Sequence, residues 1–92
     1  MTPHRKRHFL IFTQPNCAYC GPVVKLVQRA ADGLSLACEV VDATKDPARA
    51  AKFEVRSAPT VFLLNGATVL RSRSGRLTAR ELEAWLTDTN GG

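Results

Sequence analysis

Two cysteines with two residues between them, Cys17-Ala18-Tyr19-Cys20, stand after an apolar run and before an amphipathic stretch. A pair at this spacing can close a small disulfide ring and open it again, which is redox chemistry. The following helix is expected to begin at about Cys17 or Ala18. A helix N-terminus carries about half a positive charge and N–H groups that lack acceptors. A thiol placed there ionises more readily, and the thiolate is the nucleophile. Cys17 is therefore expected as the exposed attacking sulfur and Cys20, one turn in, as the shielded resolving thiol. Zinc is the competing chemistry, but it normally takes four ligands. The chain has no second such pair, so Cys38 and one of His4 and His8 would have to be recruited from elsewhere. An inert buried pair is the other alternative. The redox reading is preferred, and no metal site is expected.

The elements that must hold this pair follow from the pattern around it. Phe9-Leu10-Ile11-Phe12-Thr13 is a continuous apolar run, as expected of a central strand buried on both faces. Gln14-Pro15-Asn16 breaks it. A helix then runs to Ala31 with Val23, Val24, Leu26, Val27, Ala30 and Ala31 as its apolar stripe, and Asp32-Gly33 ends it. Pro22 in the first turn is expected to distort it. Leu34 to Val41 reads as a second strand, parallel to the first through a right-handed crossover, with Cys38 as a small buried hydrophobe.

Asp46-Pro47 is an N-cap followed by proline at the first helical position, opening a short helix to about Phe53. A loop, Val55 to Pro59, leads into the strand Thr60 to Leu64, and Asn65-Gly66 reads as a two-residue hairpin turn returning the chain from Ala67 to about Arg71. Thr78 with Glu81 three residues later is a capping box, and Leu77 with Leu82 a hydrophobic staple. Leu82, Trp85 and Leu86 supply the inward face of that last helix. The whole is an α/β chain, β-α-β-α-β-β-α, with a four-stranded mixed sheet flanked by helices.

A chain of 92 residues makes one domain. Residues 9–88 are expected to form it, with 1–8 as a flexible basic arm and 89–92 as a frayed end. Apolar residues at 45% and charged residues at 23% exclude a disordered chain, and no apolar run reaches the length of a membrane span. The basic N-terminal segment has no apolar stretch ending in a cleavage site, so the cytoplasm is the expected location. Net charge is +5, concentrated in His4 to His8 and in Arg71, Arg73, Arg76 and Arg80. No aromatic platform is interleaved with these charges, so nucleic acid is not an expected partner and a solvated surface or steering of protein partners is.

Taken together, these segments resemble the thioredoxin/glutaredoxin superfamily from Phe9 to Leu86. Thr13 to Cys20 is similar to the glutaredoxin active site, in which an aromatic residue commonly precedes the second cysteine. Lys52 to Thr60 and Ser74 to Thr78 are similar to thioredoxin. The resemblance implies a minimal thioredoxin-like fold and a cis Ala58–Pro59 peptide facing the cysteine ring, with the Ala58 backbone pairing to an extended substrate. Substrate contacts are thus expected at Tyr19, Ala58, Pro59 and Thr60, and catalysis at Cys17 and Cys20. The chain departs from the glutaredoxin pattern at Gln14, where a basic residue is usual, and at Arg73 to Leu77, which offers one glycine and no acid. It departs from thioredoxin at Asn16, where tryptophan is usual, and at Ile11, whose neighbourhood lacks a buried acid.

The expected function is a thiol–disulfide oxidoreductase that reduces protein disulfides through Cys17–Cys20. It needs no cofactor beyond that disulfide and works as a monomer with a thioredoxin-reductase-like enzyme or glutathione as electron source. The rivals are a glutathione-dependent glutaredoxin, a redox-inert peptide-binding module, and metal carriage by Cys17, Cys20 and Cys38.

Overall fold

The computed structural model describes residues 7–90, and side chains to residue 88. The chain runs β1 (Arg7–Thr13), α1 (Cys20–Leu34), β2 (Ala37–Asp42), α2 (Pro47–Lys52), β3 (Thr60–Asn65), β4 (Thr68–Ser74) and α3 (Ala79–Asn90). The strands form one four-stranded sheet in the order β2-β1-β3-β4. β1 pairs parallel with β2 and antiparallel with β3, and β3 pairs antiparallel with β4, which makes the sheet mixed as expected.

The two central strands are apolar without interruption because both their faces are covered. Phe9 and Ile11 of β1 and Val61 and Leu63 of β3 point to one side, where they meet Val23, Val27 and Ala31 of α1 and Leu82 of α3. Leu10, Phe12, Phe62 and Leu64 point to the other, against Ala50 of α2 and the half-buried Phe53 and Val55. The period-two alternation of a strand thus sorts one run of residues into two cores. In the second core Phe12, Phe53 and Phe62 form a ring cluster with centroids 5.1 to 5.9 Å apart, Phe12 and Phe62 edge to face. The edge strands β2 and β4 are largely exposed. No helix among the described residues is long and apolar enough to cross a membrane.

Several boundaries differ from the expectations. β1 begins at Arg7, where Arg7 is buried and pairs with Asn65, and His8 pairs with Leu64. The last two residues of the expected arm are therefore sheet. Residues 1–6 lie outside the described residues, as do Gly91 and Gly92. α3 continues to Asn90, past the fraying point expected at residue 89. α1 starts later and ends later than expected. Its C-cap is Ser35, left-handed at φ 56°, whose N–H reaches the carbonyls of Ala31 and Asp32. Gly33 therefore lies inside the helix, and β2 begins at Ala37 instead of Leu34.

The hairpin also shifts by one residue. Asn65 is still in the ladder opposite Thr68, so the turn is Gly66-Ala67, with Gly66 at φ 60°, a backbone angle that glycine adopts without strain. Cys38 sits on exposed β2 and is only half-buried, a free thiol at the margin of the first core.

The N-caps of α2 and α3 fall where expected. Asp46 accepts a hydrogen bond from the Arg49 N–H at 3.2 Å, ahead of Pro47. Thr78 Oγ1 accepts from the Glu81 N–H at 3.2 Å while Glu81 Oε1 accepts from the Thr78 N–H at 3.3 Å, a complete capping box. Leu77 and Leu82 are both buried beside it.

Phe12→Ala removes the fully buried ring of the cluster and is expected to lower stability by about 3–5 kcal/mol in urea unfolding. Thr78→Ala removes one cap and is expected to cost about 1 kcal/mol.

Candidate active site

The chain leaves β1 at Thr13 and passes through Gln14, Pro15, Asn16 and Cys17 before α1 begins at Cys20. Asn16 takes φ 59°, which reverses the backbone immediately before the first cysteine. Asparagine tolerates this left-handed conformation better than most residues. Tyr19 is the N-cap, and the first intrahelical bond runs from the Val23 N–H to the Tyr19 carbonyl at 3.0 Å.

This start accommodates Pro22. In the third helical position the proline needs no N–H, because no acceptor precedes it, so the expected distortion does not arise and the helix begins after Cys17 instead of at it. Cys20 and Gly21 present N–H groups for which the helix offers no acceptor, and no acidic residue occupies the first turn. Cys17 thus stands just outside the electropositive end.

Cys17 and Cys20 are joined as a disulfide, with Cα atoms 5.4 Å apart. Cys17 is half-exposed, while Cys20 is buried at 7% exposure. Of the two sulfurs, only that of Cys17 belongs to a residue open to solvent. Tyr19, between them, is 51% exposed, and the Arg76 guanidinium lies 5.9 Å from its ring centroid.

The second wall comes from the other central strand. Phe12 of β1 is paired with Thr60 of β3, so Ala58 and Pro59 sit just beyond the ladder at the end where β1 delivers the cysteine loop. The Ala58–Pro59 peptide is cis. Thr60 Oγ1 donates to the Ser57 carbonyl at 2.7 Å, and the Gly75 N–H donates to the Pro59 carbonyl at 2.7 Å. Gly75 has φ 89°, so the contact that fastens the β4–α3 connection to the proline loop uses a conformation in which a side chain would be strained.

Thr60 and Pro59 are buried, Ala58 is half-buried, and Arg56 and Ser57 are exposed. Thr60 was expected to touch substrate. Its hydroxyl is instead committed to holding the turn, and the outward surface of this loop belongs to residues 56–58. A hollow of about 280 Å³ beside it is lined by Gln14, Ala43, Pro47, Ala50, Val55, Arg56 and Ala58, among others.

Cys38 does not join the pair: among the described residues no three histidine, cysteine, aspartate or glutamate side chains are grouped to hold a metal. Its thiol is pushed above the ordinary range by burial first and by the charge of Asp32 second.

A sheet of this order, a disulfide at the mouth of the first helix and a cis-proline loop at the same sheet end form a known combination. Residues 7–87 match the family model of the thioredoxin domain. The chain belongs to the thioredoxin-domain family. Protein disulfide-isomerase 1 of Caenorhabditis elegans is 32% identical over 85 residues, covering 87% of this chain. This thioredoxin domain spans only 17% of that relative's length.

Among solved structures, thioredoxin-2 of the malaria parasite, described as a component of its protein secretion machinery, is 25% identical with a TM-score of 0.79, over 90% of this chain and 82% of that one. The germline-specific thioredoxin Deadhead of Drosophila melanogaster is likewise 25% identical, with a TM-score of 0.78, over 90% of this chain and 80% of that one. These thioredoxins agree with the fold.

In the sequence, residues 74–78 show only a similarity to thioredoxin. That Gly75 fastens the proline loop and that Arg76 lies over Tyr19 is visible only in the folded chain. The glycine between two polar residues was the available signal, since a required positive φ often marks a close backbone contact.

In the reduced protein, iodoacetamide is expected to modify Cys17 fastest at neutral pH, Cys20 slowly because it is buried, and Cys38 slowly because its thiol stays protonated. A raised pKa means that Cys38 thiolate forms only above the pH at which a free cysteine ionises. Mass-resolved alkylation across a pH series is therefore expected to show Cys38 labelling rising at a higher pH than that of a free cysteine peptide.

Proposed function

We propose that this protein reduces disulfides in other proteins by cycling the Cys17–Cys20 pair. The observation that carries the reading is the asymmetry of the closed ring: one sulfur half-exposed before a helix N-terminus and its partner buried one turn away. In the reduced form the Cys17 thiolate attacks one sulfur of a substrate disulfide. The Cys17–substrate bond forms as the substrate S–S bond breaks, and the departing substrate thiolate takes up a proton. Cys20 then gives up its proton and attacks Cys17 Sγ. The ring closes, and the second substrate sulfur leaves as a thiolate that is protonated. Two electrons and two protons have passed to the substrate.

A substrate strand lying along Ala58 would bring its sulfur towards Cys17, with Tyr19 bordering the approach. The resemblance to a segment of a protein disulfide-isomerase supports protein disulfides as the substrate class. We assign recycling of the ring to a thioredoxin-reductase-like enzyme in the cytoplasm. The absence of an acid from residues 73–77 is the observation that favours this over glutathione.

Cys17→Ser is expected to abolish reduction of a disulfide-bonded protein such as insulin, and Cys20→Ser to accumulate a mixed disulfide between Cys17 and substrate, seen by non-reducing electrophoresis. Retained reduction in the Cys17 variant would overturn the scheme. A coupled assay offering a flavoprotein thioredoxin reductase or glutathione is expected to turn over with the former. Turnover with glutathione alone would reverse the assignment of the electron source.

A further inference from the structure

The three segments that frame the ring, residues 13–20, 55–60 and 74–78, contain no aspartate or glutamate and two arginines, Arg56 and Arg76. Three guanidinium groups elsewhere on the surface have acidic partners, although among the described residues Arg29 and Arg80 do not. Arg49 pairs with Glu39 at 2.6 Å, Arg73 with Glu81 at 3.3 Å and Arg71 with Asp88 at 3.8 Å. Among the described residues, neither Arg56 nor Arg76 lies within ion-pair distance of a carboxylate.

Arg76 is also the better placed of the two. It is exposed, follows the residue whose N–H is bonded to the Pro59 carbonyl, and lies 5.9 Å from the Tyr19 ring centroid. The glycine bond fixes its backbone against the proline loop, and the tyrosine ring attracts the guanidinium by its negative face. The nearby Glu81, which could have neutralised it, is taken up by Arg73 and by its capping bonds to Thr78. A positive charge is thus left standing beside Tyr19, on the segment fastened to the proline loop. Arg56 adds a second on the hollow beside Ala58.

We propose that Arg76 is a specificity-determining residue that selects disulfide-bearing protein segments with an aspartate or glutamate close to the attacked cysteine. The inference rests on the disulfide-reducing activity proposed above. The acidic side chain of the substrate accepts hydrogen bonds from the guanidinium while its cysteine reaches Cys17. Arg76 acts on which substrate binds and leaves the sulfur chemistry to Cys17 and Cys20.

The test uses the full chain and three reporter peptides, each closed by one disulfide and differing only in acidic, neutral or lysine residues beside the cysteines. The parent protein is expected to reduce the acidic peptide with the highest kcat/KM, through a lower KM. An exposed charge pair of ordinary strength changes binding by up to about fivefold, so Arg76→Ala should narrow the acidic-over-neutral ratio by about that factor. Arg76→Lys, which keeps the charge, should retain most of the preference. Arg76→Glu should favour the lysine peptide, and 1 M salt should flatten all differences.

Equal kcat/KM for the three peptides with the parent protein would overturn the inference while leaving the redox function intact. A uniform slowing of all three in Arg76→Ala, accompanied by slower alkylation of Cys17, would also overturn it, because the arginine would then act on the sulfur. If the parent protein reduces none of them, and insulin is not reduced either, the disulfide-reducing function falls and this inference with it. Arg76 is exposed, and an unchanged thermal midpoint verifies that each variant is folded.

Discussion

The antiparallel ladder between β1 and β3 is the constraint on which the site depends. Its register sets Phe12 against Thr60, and from that one pairing the cysteine loop leaves on one strand while the proline loop arrives on the other. Both strands are buried on both faces, so slipping the pairing by a residue would turn Phe9 and Ile11 out of one core and Leu10 and Phe12 out of the other. The rigidity of the site is therefore borrowed from the most buried part of the molecule. Its chemistry stays in loops at the sheet's end, where a sulfur can meet a partner.

Two further fastenings complete that end. Pro22 excludes a helix that starts earlier with all its bonds made, so the first cysteine is left in a turn and the second becomes the first helical residue. Gly75 draws the β4–α3 connection against Pro59. The first fastening sets which sulfur is reachable, and the second brings the arginine that follows it to the rim. Neither requires a titratable group at the ring itself. The electropositive character comes from the backbone and from guanidinium groups that carry no counter-charge there.

Much of this was legible in the chain because the relevant forces are local. The uninterrupted Phe9 to Phe12 run identifies a central strand, Asp46-Pro47 and Thr78 with Glu81 identify helix starts, and Cys17 with Cys20 identify a ring. Most of the misplacements arose where a tertiary contact outweighed a local preference. Gly33 looked like the better helix stop, yet the helix runs on to Leu34 and turns at Ser35, whose N–H closes on the Ala31 and Asp32 carbonyls, a local bond and not a tertiary one. Asn65-Gly66 has favourable turn chemistry, but Asn65 is held in the ladder opposite Thr68 and the turn moves one residue on. Arg7 reads as part of a charged arm, though pairing with Asn65 brings it into the sheet. The placement of Arg76 over Tyr19 joins residues 57 positions apart and has no local signature at all.

The exposed flank of β4 has a consequence for how copies of the molecule behave at high concentration. An unpaired strand edge is a template on which a second polypeptide can crystallise its own backbone, the first step towards fibrils. Here that strand carries Arg71 and Arg73, each near an acid of α3, so an incoming identical edge would bring bulky charged side chains against their own copies. Self-templating along this border is disfavoured by charge and by crowding together.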